Sequence, residues 1–425
     1  MGFEATKAGP EEGSSGGRQF WPPLPIVERR PARRWFRRGL LGVALLVVAY
    51  FGWSVVGALS AADSSPFPAR WVEWVRDHGG SGVVTLVERF WYSHHQPPKG
   101  GRPVAGAVPE TSPATVPPSP RSGHLLEPQQ IQPIVQPPLF AEGSWQAAGR
   151  PVDGIPGVFT SWLRPDAVHT SVVAGVAWLD PTLLEAKLFA GTQEPGGSGW
   201  AYTAPVSPSL RPDLVATFNS GFRLKDAGGG YFAEGHLVKL LVDGMASFVI
   251  YKDGTATVGL WGRDVAMAPA VSAVRQNLPL IVDKGAPVPG LSINATTRWG
   301  FTVGNQEYVW RSGLGVTGTG ALVYVAGPYL SIETLADALA RVGALRAMEL
   351  DINTNWVDFF SYAPAPGLPS DPSNASKLLP NMFRSTQRYF EVDARDFIGM
   401  FARGPQSPPP RAPVTTATPK QKSKL

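Results

Sequence analysis

No charged residue falls between Arg38 and Asp63. An apolar run of that length satisfies its backbone in lipid only as a helix, and it is long enough to cross a bilayer. A signal-peptide core would be shorter, roughly 7–15 residues. Ala58, Ala61 and Ala62 leave cleavage open, but the length favours an uncut anchor. Arg29, Arg30, Arg33, Arg34, Arg37 and Arg38 precede the run, and Asp63 is the first charge after it. By the positive-inside rule, the sequence predicts a cytoplasmic basic tail over 1–38 and a single transmembrane helix over 39–62. The remainder is then extracytoplasmic, at the cell membrane.

The basic balance reflects the two ends of the chain. Residues 1–38 hold eight Lys/Arg and four Asp/Glu, a net +4; residues 404–425 hold Arg411, Lys420, Lys422 and Lys424 with no acid, another +4. The whole chain is +5, so the rest is about −3. Without a basic patch interleaved with aromatics, a nucleic-acid partner is not expected. Cysteine is absent, which excludes disulfides, thiolate metal sites and a cysteine nucleophile. The Ala, Gly, Pro and Arg bias suggests a bacterial, GC-rich genome.

Residues 63–142 read as an aromatic segment followed by a linker. Trp71-Val72-Glu73-Trp74 and an amphipathic stretch over 83–92 come first, lying on the membrane surface or docking on the main domain. Many prolines over 97–140 predict an extended, semi-rigid spacer that holds the next domain away from the bilayer. Short β-prone runs with turn signals then fill 143–403: 171–178, 184–190, 213–218, 237–242, 246–251, 255–261, 270–275, 278–282 and 321–325. Asp243-Gly244 and Asp253-Gly254 predict hairpins within a meander. One helix stands out: Ser331 caps it, Glu333 suits its first turn, Ile332, Leu335, Leu339 and Val342 share a face, and Gly343 ends it. Strands dominate, so the domain is α+β, with strand-rich mixed or antiparallel sheets and few helices. Residues 404–425 read as a disordered tail.

Three segments carry polar groups in unusual settings. Met348-Glu349-Leu350-Asp351-Ile352-Asn353 alternates apolar and polar residues, so a regular strand would put Glu349, Asp351 and Asn353 on one face. Asn219-Ser220-Gly221-Phe222 ends a strand, and Gly228-Gly229-Gly230 follows it after a loop. These glycines either let backbone amides approach a ligand or form a tight turn and mobile loop. Arg311-Ser312-Gly313-Leu314-Gly315 places a guanidinium beside small residues, suited to a phosphate, a carboxylate or an ion pair.

The order of these segments resembles the phosphodiester glycosidase family, over roughly residues 170–362. Asn219-Ser220-Gly221-Phe222 is similar to that family's Asn-Gly-Gly-Phe-Phe, and Arg311-Ser312-Gly313-Leu314-Gly315 to its Arg-Thr-Ala-Ile-Gly. Leu350-Asp351-Ile352-Asn353-Thr354-Asn355 stands where the family has Leu-Asp-Gly-Gly-Gly-Ser. Asp351 is kept and the glycine run is not. The resemblance implies a membrane-anchored hydrolase that cleaves a sugar-phosphate diester of an envelope glycan or glycolipid. Asp351 is the expected base or nucleophile, Glu349 its partner and Arg311 the phosphate ligand. Asn219, Gly221, Phe222, Arg275, Asn353 and Trp356 are the expected substrate contacts, with Phe222 or Trp356 stacking on the sugar. No cofactor is expected; a divalent ion between Asp351 and Glu349 is the one option left open. Loss of the glycines also fits a non-catalytic protein that binds an envelope glycan or assists exopolysaccharide assembly.

Overall fold

Residues 39–60 of the charge-free run lie in one helix, Ala32–Ser60, of which Arg38–Gly57 is long and apolar enough to cross a membrane. The computed structural model describes residues 32–60, 67–94, 96–110, 123–291, 298–300, 307–404 and 410. The basic tail before residue 32 and, apart from residue 410, the tail after 404 lie outside the described residues. The chain divides into two compact units, Met1–Gly57 and Ala58–Leu425.

In the second unit, helices Phe67–Val75 and Ser81–His94 are joined through a kink at His78 and Gly79. The described parts of the Pro-rich segment lie along the strand-rich body rather than standing off from it. Ile131 and Val135 are buried, and Arg164 donates to the carbonyls of Val135 and Pro137. The scattered apolar residues supply burial, and the Val135 and Pro137 carbonyls accept from the Arg164 cation.

Three sheets follow, and their ladders are antiparallel. The largest runs Gln146–Ala148, Val158–Leu163, Ala174–Leu179, Leu322–Leu330, Val309–Thr317, Ala344–Asp351, Leu280–Asp283 and Ala286–Pro287 in spatial order. The second runs His236–Lys239, Tyr231–Ala233, Val271–Gln276, Ala246–Tyr251 and Ala256–Leu260. The third runs Ala375–Lys377, Phe359–Tyr362, Leu214–Asn219, Phe397–Ala402 and Leu184–Phe189.

The predicted helix is Ile332–Arg341, and the Ser331 hydroxyl accepts the Thr334 amide as its cap. Its Leu335 and Leu339 pack with Val325, Ala344 and Ala347 on one face of the largest sheet. On the other face Leu314, Tyr324, Met348 and Leu350 pack with Phe218 and Phe359 of the third sheet and Phe248 and Ile250 of the second. Each such side chain contributes about 1.5–3 kcal/mol on burial. The site described next lies at the end of this sandwiched layer.

The hairpin expected at Asp253-Gly254 forms between Ala246–Tyr251 and Ala256–Leu260. Asp243-Gly244 also turns the chain, but the strands flanking it do not pair, because Tyr231–Ala233 and Val271–Gln276 come between them. The Gln276 side chain accepts the amides of Gly230 and Val242 and donates to the Val242 carbonyl, drawing that segment away. A Cβ at Gly230 would lie 2.2 Å from the Leu240 carbonyl oxygen, so this glycine serves backbone packing rather than ligand approach.

Candidate active site

The strand carrying the carboxylates is not regular. In its ladder with Val309–Thr317, Ser312 pairs with Asp351 and Gly313 with Glu349, leaving Leu350 as a bulge. Paired residues in an antiparallel ladder share a face, and neighbours along a strand point to opposite faces. Asp351 therefore lies on the face of Ser312, and Glu349 on that of Gly313. A β-bulge re-aims a side chain in this way. The expectation that Glu349 and Asp351 share a face is thus corrected.

Asp351 is buried at the strand end. Its Oδ1 accepts the amides of Ile352 at 2.7 Å and Asn353 at 3.1 Å, and its Oδ2 accepts Arg395 Nη2 at 3.2 Å. Burial raises the carboxyl to about 6, against the pull of Arg395 and the two amides. The Asp351 amide donates to the Ser312 hydroxyl, which also receives Asn219 Nδ2 at 3.1 Å. Asn219 Oδ1 accepts from Tyr324 Oη at 2.9 Å. Asn219 thereby ties the third sheet to the largest one beneath Asp351.

Arg395 is held from several sides. Its Nη2 also donates to the Gly221 carbonyl at 3.1 Å, and its guanidinium carbon lies 5.0 Å from the centre of the Trp356 ring. Arg384 and Arg388 face the same ring at 5.3 and 5.2 Å. Asp393 Oδ2 accepts from Arg388 at 2.9 Å and Arg384 at 3.3 Å, and Asp358 accepts from Arg388 at 2.5 Å. Burial alone would raise Asp393, but Arg388 and Arg384 hold it below the usual range. Among the described residues, buried Arg395 Nε and Arg388 Nη2 meet no hydrogen-bond partner.

Arg311 and Glu349 form a separate closed pair. Arg311 Nη1 donates to Glu349 Oε1 at 2.6 Å, Nε to the Leu330 carbonyl and Nη2 to the Glu307 carbonyl. All three nitrogens are engaged, so Arg311 does not stand ready for a phosphate, and Glu349 is not Asp351's partner. Burial pushes Glu349 up to about 7, against the attraction of Arg311, while the charge of Asp351 adds to the rise. Among the described residues, buried Glu349 Oε2 meets no hydrogen-bond partner.

The expected substrate contacts divide in the same way. Arg275 is buried; it donates to Asp396 Oδ2 at 2.7 Å, to the Gln276 carbonyl and to the Phe222 carbonyl, which removes it from contact with a ligand. Phe222 is buried with Ala227 and Leu278, and Gly300 sits so close that a Cβ there would meet Phe222 Cζ at 2.8 Å. Trp356 is enclosed by the three arginines, so neither aromatic ring offers an open face for stacking on a sugar. Asn353 and Asn355 are half-buried beside Asp351, with Asn353 Oδ1 accepting the Asn355 amide. Gly221 contributes its carbonyl to Arg395.

Arg395 was the residue hidden from sequence reasoning. Its one signal is the dense Asp393-Ala394-Arg395-Asp396 run leading into an apolar strand. Among the described residues no group of three or more His, Asp or Glu side chains could hold a metal ion. Glu349 and Asp351, on opposite faces, do not converge on one.

Fold and site together describe a strand-rich α+β protein with a buried carboxylate–guanidinium pair at a strand end. No family model and no curated protein matches the chain. Among solved structures, the catalytic domain of zebrafish N-acetylglucosamine-1-phosphodiester alpha-N-acetylglucosaminidase is similar at 16% identity and a TM-score of 0.39, covering 68% of this chain and 98% of that one. A hypothetical protein from Synechocystis is similar at 13% identity and a TM-score of 0.35, covering 59% of this chain and 63% of that one. Likeness at this level carries no weight for activity or substrate.

Proposed function

We propose that the protein is a membrane-anchored, extracytoplasmic hydrolase that cleaves sugar 1-phosphodiesters of an envelope glycan or glycolipid at Asp351. The observation carrying this reading is the Asp351–Arg395 pair at 3.2 Å, with a carboxyl raised to about 6. Such a group is mostly ionised at neutral pH and still basic enough to take a proton. The substrate class comes from the order of the Asn219, Arg311 and Asp351 segments along the sequence.

In the proposed step Asp351 takes a proton from water, and the water oxygen bonds to the anomeric carbon. The bond from that carbon to the phosphate oxygen breaks, and the electron pair leaves with the phosphate monoester. The proton on Asp351 then passes to solvent. Phosphate is a good leaving group, so little protonation of it is needed. Arg395 orients the carboxylate and favours its charged form. The anchor is the helix over Arg38–Gly57, with the arginine-rich N-terminus on the cytoplasmic side.

Asp351→Asn should abolish release of reducing sugar from sugar 1-phosphodiesters while leaving the circular dichroism spectrum unchanged; full turnover in that variant would sink the assignment. One observation favours a second reading, an envelope glycan-binding protein without turnover. Both Asp351 oxygens already accept hydrogen bonds, and a half-buried Ile352–Asn355 rim replaces the glycines. Saturable binding of the same diesters with no sugar released would establish that reading instead.

A further inference from the structure

Within helix Ser81–His94, Val83, Leu86, Val87 and Phe90 fall at i, i+3, i+4 and i+7 and form one apolar stripe. A stripe of this kind normally faces a core. Here Val83, Leu86 and Val87 are 66, 67 and 61% exposed, and Phe90 is exposed as well. Val84, just off the stripe, is buried. In the preceding helix Phe67 and Trp71, at i and i+4, are also exposed.

Two facts indicate what covers this surface. Nine residues separate Gly57, the end of the apolar span, from Phe67. At roughly 3.5 Å per residue that tether reaches no more than about 30 Å, so the helices start close to the bilayer surface if the span crosses it. Arg70, Arg76 and Arg89 are offset by Glu73, Asp77 and Glu88, so charge does not select the partner and apolar contact does.

We infer that the helices Phe67–Val75 and Ser81–His94 form an interfacial anchor, lying in the lipid headgroup region with the Val83/Leu86/Val87/Phe90 stripe toward the acyl chains. The inference rests on the reading of Arg38–Gly57 as membrane-spanning. Amphipathic helices lie in this way with the apolar face at the headgroup–acyl boundary, and the buried apolar area contributes to binding.

The absence of cysteine permits a direct test. The full-length chain would carry one fluorescent label at Val83→Cys, Leu86→Cys or Val87→Cys. Leu45→Cys in the span and Glu391→Cys on the exposed domain surface serve as references. Each protein is reconstituted into phosphatidylcholine vesicles, with and without phosphatidylglycerol, and quenched by spin-labelled acyl chains or by aqueous iodide. The labels at 83, 86 and 87 should be quenched by the lipid-borne agent at least about twofold more than that at 391, in both lipid mixtures. Iodide should quench them less than the label at 391.

Labels at 83, 86 and 87 open to iodide, with Leu45→Cys lipid-quenched, would overturn the interfacial anchor and leave the span intact. Labels protected from both quenchers would overturn it in favour of a protein partner or second copy. A Leu45→Cys label open to iodide would overturn both the span and the interfacial anchor.

Discussion

Arg395 Nη2 donates to Asp351 Oδ2 at 3.2 Å, joining two buried side chains 44 positions apart in the sequence. Truncating the cation leaves the carboxylate uncompensated in a poorly solvated place. Arg395→Ala should cost on the order of 3–5 kcal/mol, the usual penalty for breaking a buried pair. It should also shift the acid limb of the pH–rate profile above the wild-type midpoint. Thermal denaturation and that profile check the two effects; an unmoved limb would show that Arg395 does not act on Asp351.

The proposed base works only when ionised. Turnover should therefore rise as pH passes upward through about 6, the value to which burial pushes Asp351. Hydrolysis that is flat between pH 4.5 and 8 would remove Asp351 from the base role.

Stability should run the other way. Glu349 is pushed up from 4.5 to about 7 and Asp351 from 3.8 to about 6 in the folded protein. Between the unfolded and folded values the native state binds more protons than the unfolded chain, so stability falls as pH rises. Their combined effect should appear from about pH 4 to 7, with Glu349 contributing on the order of 3 kcal/mol. Urea denaturation of Glu349→Gln across that window should show a shallower decline than wild type.

The Arg311–Glu349 pair faces away from Asp351 and should matter for stability rather than turnover. Arg311→Met should cost about 3–5 kcal/mol at pH 8. The loss should be smaller at pH 5, where the stranded Glu349 is protonated. Replacing both, Arg311→Met with Glu349→Leu, should recover most of that loss and keep turnover within about an order of magnitude of wild type. Abolished turnover in the stable double variant would return the pair to the active site.

Trp356 is the shared platform of Arg384, Arg388 and Arg395. Trp356→Ala should destabilise by about 3–5 kcal/mol and lower kcat more than it raises KM, because Arg395 loses its seat. Trp356→Phe keeps a ring face and should restore much of both. An unchanged kcat in Trp356→Ala would show that Arg395 is placed without it.

Much of the fold was legible because it depends on near neighbours in the chain. The charge-free run to Asp63 dictated a long apolar helix. Ser331 and Gly343 bounded the helix between them through capping, and Asp253-Gly254 closed a hairpin whose strands touch immediately. Asp351 could be singled out because a carboxylate in an apolar strand is costly wherever it lands.

Tertiary structure decided what those residues meet. Strand alternation assumes a regular ladder, and the Leu350 bulge arises only from register against Val309–Thr317, so it sent Glu349 to Arg311 and left Asp351 on the face of Ser312. No local pattern names Arg395 as the cation, because it reaches Asp351 only after the third sheet brings the Phe397–Ala402 strand beside Leu214–Asn219. Composition and spacing determined which residues were chemically unusual. Long-range pairing determined their neighbours, since it is fixed by the fit of whole sheets rather than by any one segment.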